Sequence, residues 1–95
     1  MACAHRILIS SLFTRDVKQY IKKDSCLKSI VERAKNILES DPHNMSRQHD
    51  IKKLEGLKVG EGVFRLRIRD YRIRYDIIGS DIILYSFRHR KEAYR

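Results

Sequence analysis

Near residue 63 the hydrophobic period of this chain changes from that of a helix to that of a strand, so helices must precede most of a sheet. Phe13, Val17, Tyr20 and Ile21 recur at i, i+4, i+7 and i+8, with Arg15, Asp16, Lys18, Lys22 and Lys23 off that stripe. Leu27, Ile30, Val31, Ala34, Ile37 and Leu38 form a second stripe, which Asp41-Pro42 stops. Two amphipathic helices in a hairpin are expected. The first is capped by Ser10 or Ser11 and breaks near Lys23; Asp24 or Ser25 caps the second. From Val63 onward Phe64, Leu66 and Ile68 alternate with Arg65, Arg67 and Arg69. Tyr71, Ile73, Tyr75 and Ile77 alternate with Arg72, Arg74 and Asp76. These are half-buried strands with one apolar and one arginine-rich face. Gly79-Ser80 turns the chain into a third strand, Asp81 to Phe87, apolar on both sides as a central or helix-covered strand would be.

Two shorter segments complete the reading. His5 to Ser10 is β-rich around Ile7 and Ile9 and reads as one short strand joining the edge of the meander. Residues 41 to 50 are polar and aperiodic, a loop leading to the short segment Ile51 to Leu54 and a turn at Gly56. The tail from Arg88 is short and polar. The expected fold is α+β: an N-terminal strand and a two-helix hairpin packed on one face of a small antiparallel sheet of about four strands. One domain over residues 1–95 is expected, without repeats or low-complexity segments.

Charge narrows the function classes. The chain carries 21 Lys plus Arg against 12 Asp plus Glu, a net charge of +9. Lysines dominate the helical region, whereas from residue 63 the cations are eight arginines and a single lysine. Arginine offers a planar fork that matches phosphate oxygens, and lysine is a strongly hydrated point charge. The switch therefore points to a phosphate-facing surface in the C-terminal half. Basic balance alone licenses either nucleic acid or an acidic protein segment as partner. No apolar run approaches the ~18 residues of a membrane span, and Met1 to Phe13 lacks the features of a secretory signal, so a cytoplasmic location is expected. Cys3 and Cys26 make neither a disulfide framework nor a CxxC ligand pair, and neither a metal nor another cofactor is expected.

Residues 52 to 95 resemble the sheet and C-terminus of the RelE/ParE superfamily of bacterial and archaeal toxins, and more closely its RelE ribonuclease branch. The KxLxG segment at 52 to 56, the arginine strand, the DYRIRY motif at 70 to 75 and the closing HRKEAYR at 89 to 95 carry the likeness in order. The resemblance implies the toxin of a type II toxin–antitoxin system. It implies an endoribonuclease, an mRNA interferase that cleaves messenger RNA in the ribosomal A site without a metal and so stops translation. The nucleophile is then the RNA's own 2′-hydroxyl, and a cognate antitoxin is the protein partner. Arg72 matches the arginine that contacts the scissile phosphate, Arg90 the one that serves the leaving oxygen, and Tyr94 the tyrosine that positions the nucleophile. Arg65 and Arg67 stand where well-known members have lysines, and arginine is a poor general base. Arg69, Arg74 and Lys91 complete the expected RNA-binding set, although Arg69 and Arg74 would equally suit solvent or pairing with Asp70 and Asp76. His89 lies near the arginines with a side chain suited to proton transfer, beside the plainer role of a turn or packing residue. Tyr71 and Tyr75 alternate with arginines and could stack on bases, but they share a face with Ile73 and Ile77, which favours core packing. The alternatives the resemblance leaves open are a ParE-like inhibitor of DNA gyrase with no nuclease activity and an inactive or purely RNA-binding relative.

Overall fold

The computed structural model describes residues 5–89. Its elements run β1 (Arg6–Ile9), α1 (Ser11–Lys23), α2 (Leu27–Ser40), β2 (Asp50–Lys53), β3 (Phe64–Ile68), β4 (Tyr71–Ile78) and β5 (Asp81–His89). The strands form one sheet in the order β1-β5-β4-β3-β2, in which β1 pairs with β5 in parallel and the other pairs are antiparallel. The α+β arrangement is the expected one. The sheet has five strands rather than about four, because Asp50–Lys53 pairs with β3. Of its four residues only Ile51 is half-buried, which is too little to establish an alternation.

Ser10 is the cap of α1: its hydroxyl oxygen accepts from the Phe13 N–H at 3.1 Å and the hydroxyl donates to the Tyr85 carbonyl at 2.9 Å. One side chain thus starts the helix and ties it to β5. Neither Asp24 nor Ser25 caps α2. The N-cap is Cys26, which makes no side-chain bond, while the Asp24 carboxylate accepts from the Cys26 N–H at 3.0 Å and so orders the connecting turn instead. The 41–49 loop is held by its own side chains. The Asp41 carboxylate accepts from the Met45 and Ser46 N–H groups and the Ser46 hydroxyl, and Asn44 exchanges two hydrogen bonds with the His49 backbone. Ser46 first, then those N–H groups and His49, hold the Asp41 carboxyl below the usual carboxylate range, against a burial effect that raises it.

Both helices cover one face of the sheet. Phe13 and Tyr20 from α1, and Leu27, Val31, Ala34 and Leu38 from α2, close over Leu66, Ile68, Ile73, Tyr75, Ile82, Leu84 and Phe87. Tyr71 stacks on Phe87 at 5.0 Å, and the buried Tyr75 donates its hydroxyl to the Pro42 carbonyl at 2.7 Å, so both tyrosines belong to this packing. Burial pushes the Tyr75 phenol up, and the Asp41 charge adds to the effect.

The β1 pairing ends at Ile9, leaving the rest of the β5 edge to be satisfied otherwise. Side chains of α1 do this. The Asp16 carboxylate accepts from the Phe87 N–H at 3.2 Å, and the Tyr20 hydroxyl oxygen, one helical turn on, accepts from the His89 N–H at 3.1 Å. Four-residue spacing on a helix has matched the two-residue period of a strand, closing an edge that would otherwise invite pairing with another chain.

Candidate nucleic-acid interface

The face of the sheet away from the helices carries the arginines in ordered rows. Pairing places Arg67 opposite Arg72, and Arg72 opposite Arg88, with Asp50 opposite Arg67 at the outer edge. The next row is Lys52, Arg65, Arg74 and Ser86. Directly opposed residues on one face have Cβ atoms about 4.5–5.5 Å apart, and like charges so placed destabilise a sheet. Three arginines in one row across β3, β4 and β5 therefore carry a cost that an anionic ligand would remove. Carboxylates stand at both ends of the row. Asp50 lies 3.2 Å from Arg65 and 3.9 Å from Arg67, and the buried Asp16 lies 3.3 Å from Arg88 Nε. On the same face Arg65 Nε is buried without a hydrogen-bond partner among the described residues.

Arg88 is the member of the row that sequence reading missed, and a β-bulge explains why. Tyr75 pairs with Leu84 but Arg74 pairs with Ser86, so Tyr85 is an extra residue and the alternation along β5 shifts by one. Ile82 and Leu84 point into the core before the bulge, and Phe87 does so after it. Continued alternation from Ile82 would send His89 outward and Arg88 inward; the bulge reverses both. His89 consequently pairs with Tyr71, and the two rings meet edge to face at 5.3 Å on the side opposite Arg72 and Arg88. β5 also runs two residues beyond Phe87, which removes Arg88 and His89 from the polar tail.

Two other arginines sit differently from their expected places. Arg69 is not on the strand: β3 stops at Ile68, and Arg69-Asp70 form a two-residue hairpin loop in which Arg69 is exposed with φ +54°. Arg74 is on the open face, but its Nε donates to the Gly62 carbonyl at 3.0 Å and its Nη2 to the Glu61 carbonyl at 2.8 Å. It holds the loop before β3 rather than facing solvent or Asp76. Asp76 holds the same loop from beneath. Its fully buried carboxylate accepts from the N–H groups of Gly60 at 2.7 Å, Gly62 at 3.2 Å and Val63 at 2.8 Å. Burial first, and then the nearby Asp76 charge, raise the Tyr85 pKa and keep its hydroxyl protonated. Gly62 has φ +78°, and a Cβ there would stand 3.0 Å from Arg74 Cβ, so only glycine fits under the clamp. Arg90, Lys91 and Tyr94 lie outside the described residues.

The structure therefore brings together Arg65, Arg67, Arg72 and Arg88 on one open face, gives Arg74 a structural task beside them, and separates Arg69 and His89 from them. Such a face can bind a phosphodiester backbone and place guanidinium donors around one phosphate.

Comparisons with known proteins converge on one group. A family model described as the ParE toxin of the type II toxin–antitoxin system parDE matches residues 7–94. The RelB–RelE antitoxin–toxin complex of Methanococcus jannaschii contains a chain 29% identical to this one, covering 92% of this chain and 94% of that one, with a TM-score of 0.60. The toxin–antitoxin complex RelBE2 of Mycobacterium tuberculosis matches at 21% identity over 93% of this chain and 100% of that one, with a TM-score of 0.70. YafQ of E. coli matches at 13% identity over 96% and 99%, with a TM-score of 0.71. No curated protein sequence matches the chain.

Proposed function

The chain belongs to the ParE toxin family of type II toxin–antitoxin systems, within the RelE/ParE superfamily, and on that premise we propose that it is an endoribonuclease. It cleaves messenger RNA in the ribosomal A site by attack of the RNA 2′-hydroxyl on the adjacent phosphate. The observation that carries this reading is the Arg67–Arg72–Arg88 row on the open face of the sheet. In-line attack builds negative charge on a pentacovalent phosphorus, and donors already in place are worth ~3 to 4 kcal/mol each there. Arg72, flanked on both sides, receives the phosphate oxygens. Arg88, fixed by Asp16, is a second donor to those oxygens, one that the resemblance did not name. Arg65 and Arg67 hold the backbone on the β3 side. Tyr94 positions the nucleophile, Arg90 attends the leaving oxygen, and Lys91 adds to RNA binding; these three roles rest on the resemblance. His89 supports the site through packing on Tyr71. The M. jannaschii likeness supports the RelE branch, and its complex supports a cognate antitoxin as partner of this chain. The site of action is the cytoplasm.

The matching family model is named for ParE, and the resemblance links that branch to a second reading, inhibition of DNA gyrase without nuclease activity. Inducible expression with pulse labelling separates the two. Arrest of protein synthesis before any DNA-damage response supports the ribonuclease; filamentation and DNA breaks with translation still running would establish the gyrase inhibitor.

A further inference from the structure

Beside the Arg67 end of the row, an open cleft of about 240 Å³ lies between α2 and the β2–β3 edge. It forms because β2 begins opposite Arg67 and leaves Ile68 without a neighbour on that side. Arg33 from α2, Arg67 and Arg69 line it, with Ile37 and Ile68 as apolar surface. All three arginines are exposed. Asp50, also in the lining, is engaged by Arg65 and Arg67, so its charge is already offset. The cleft is small and its lining mainly polar, and three guanidinium groups converging on it suit a phosphate-sized anion with limited apolar contact beside it.

Arg69 supplies an independent observation. It occupies a left-handed position, φ +54°, in a two-residue hairpin loop where glycine or asparagine is the cheaper choice. A long cationic side chain kept in strained backbone beside a cleft lined by two more arginines is strain with a ligand-facing reason.

We propose that this cleft holds one nucleotide of the bound single-stranded RNA, flanking the phosphate on Arg72. Its phosphate meets Arg33, Arg67 and Arg69, and its base lies against Ile37 and Ile68. The inference rests on the ribonuclease reading and extends it to a specificity-determining subsite. The cleft opens on the helix side of the sheet edge and meets the arginine row at Arg67; that shared guanidinium favours RNA, whose successive phosphates can pass the edge, over an acidic protein segment as occupant.

Arg69→Gly is the decisive variant, because structure and function push it in opposite directions. Relief of the backbone should leave the melting temperature equal to or above the parent's. Loss of the guanidinium should weaken binding of a non-cleavable, fully 2′-O-methylated RNA decamer about five- to tenfold and flatten its salt slope by about 0.7. Arg33→Gln should weaken the same probe without touching the hairpin. Arg72→Gln is the reference for the row. If it weakens the decamer while Arg69→Gly and Arg33→Gln bind as the parent does, the cleft proposal fails and the row stands. If the cleft variants weaken binding and Arg72→Gln does not, the row is misassigned and the cleft stands. A parent that does not bind the decamer overturns both. A polyglutamate decapeptide that displaces the RNA from the parent, and loses affinity equally in the cleft variants, would make the cleft an acidic-peptide site and overturn the proposal.

Discussion

Replacing Asp76 by alanine should remove a large share of the stability of this fold. The carboxylate is fully buried and accepts three backbone N–H groups, those of Gly60, Gly62 and Val63. The bond to Gly60 is only part-buried, so water can replace it; the other two are buried and would be orphaned. At roughly 1–3 kcal/mol for each buried donor left unsatisfied, the loss is about 3–4 kcal/mol. A chain of this length has on the order of 5–14 kcal/mol in total, so Asp76→Ala remains folded at room temperature with a melting temperature lower by about 15–25 °C. Asp76→Asn keeps the shape but turns an amide N–H toward donors on one side. It should lose more than half as much, because Oδ1 serves Val63 and Oδ2 serves both glycines. Urea titration followed by circular dichroism gives both values, and an unchanged m-value shows that only stability has moved. A shift below about 1 kcal/mol for Asp76→Ala would refute the view that this one carboxylate holds the loop against the sheet.

Arg72→Ala and Arg88→Ala should each keep the fold and slow single-turnover cleavage on programmed ribosomes about a hundredfold or more, whereas His89→Gln should slow it by less than about tenfold. Replacing Arg65 and Arg67 together by glutamine should flatten the salt dependence of single-stranded RNA binding by about 1.4, read by anisotropy between low and physiological salt. Asp41 has a lowered pKa in the fold, so its contribution to stability is complete above the ordinary carboxylate pKa and is lost as pH falls through the lower folded value. Unfolding free energies of the parent should therefore fall toward the Asp41→Asn value as the pH drops below ~4. A gap that is constant from pH 7 to 2 would contradict that sign.

The helices and the central hairpin were legible because their periods are long and clean: Phe13 to Ile21 and Phe64 to Ile77 fall in or out of the core nearly as the patterns require. What was not legible lies where one residue changes the phase or a side chain acts on distant backbone. The bulge at Tyr85 leaves no mark in a strand apolar on both sides, and it alone decides whether Arg88 or His89 joins Arg72. Asp16 and Asp76 read as ordinary polar positions of a helix and a strand. Their burial follows from N–H groups more than 10 residues away, on β5 and in the loop before β3. Arg69 continued the alternation of β3 in the sequence, but the hairpin turned one residue earlier.

The most direct test of the arginine row as a catalytic surface is to map cleavage sites on a defined messenger RNA in a purified translation reaction, with the parent chain and with Arg72→Ala. Cuts by the parent within the A-site codon, absent from RNA without ribosomes and absent with Arg72→Ala, are the expected result. Intact messenger RNA with the parent, together with loss of gyrase supercoiling when the same protein is added to a DNA reaction, would contradict it.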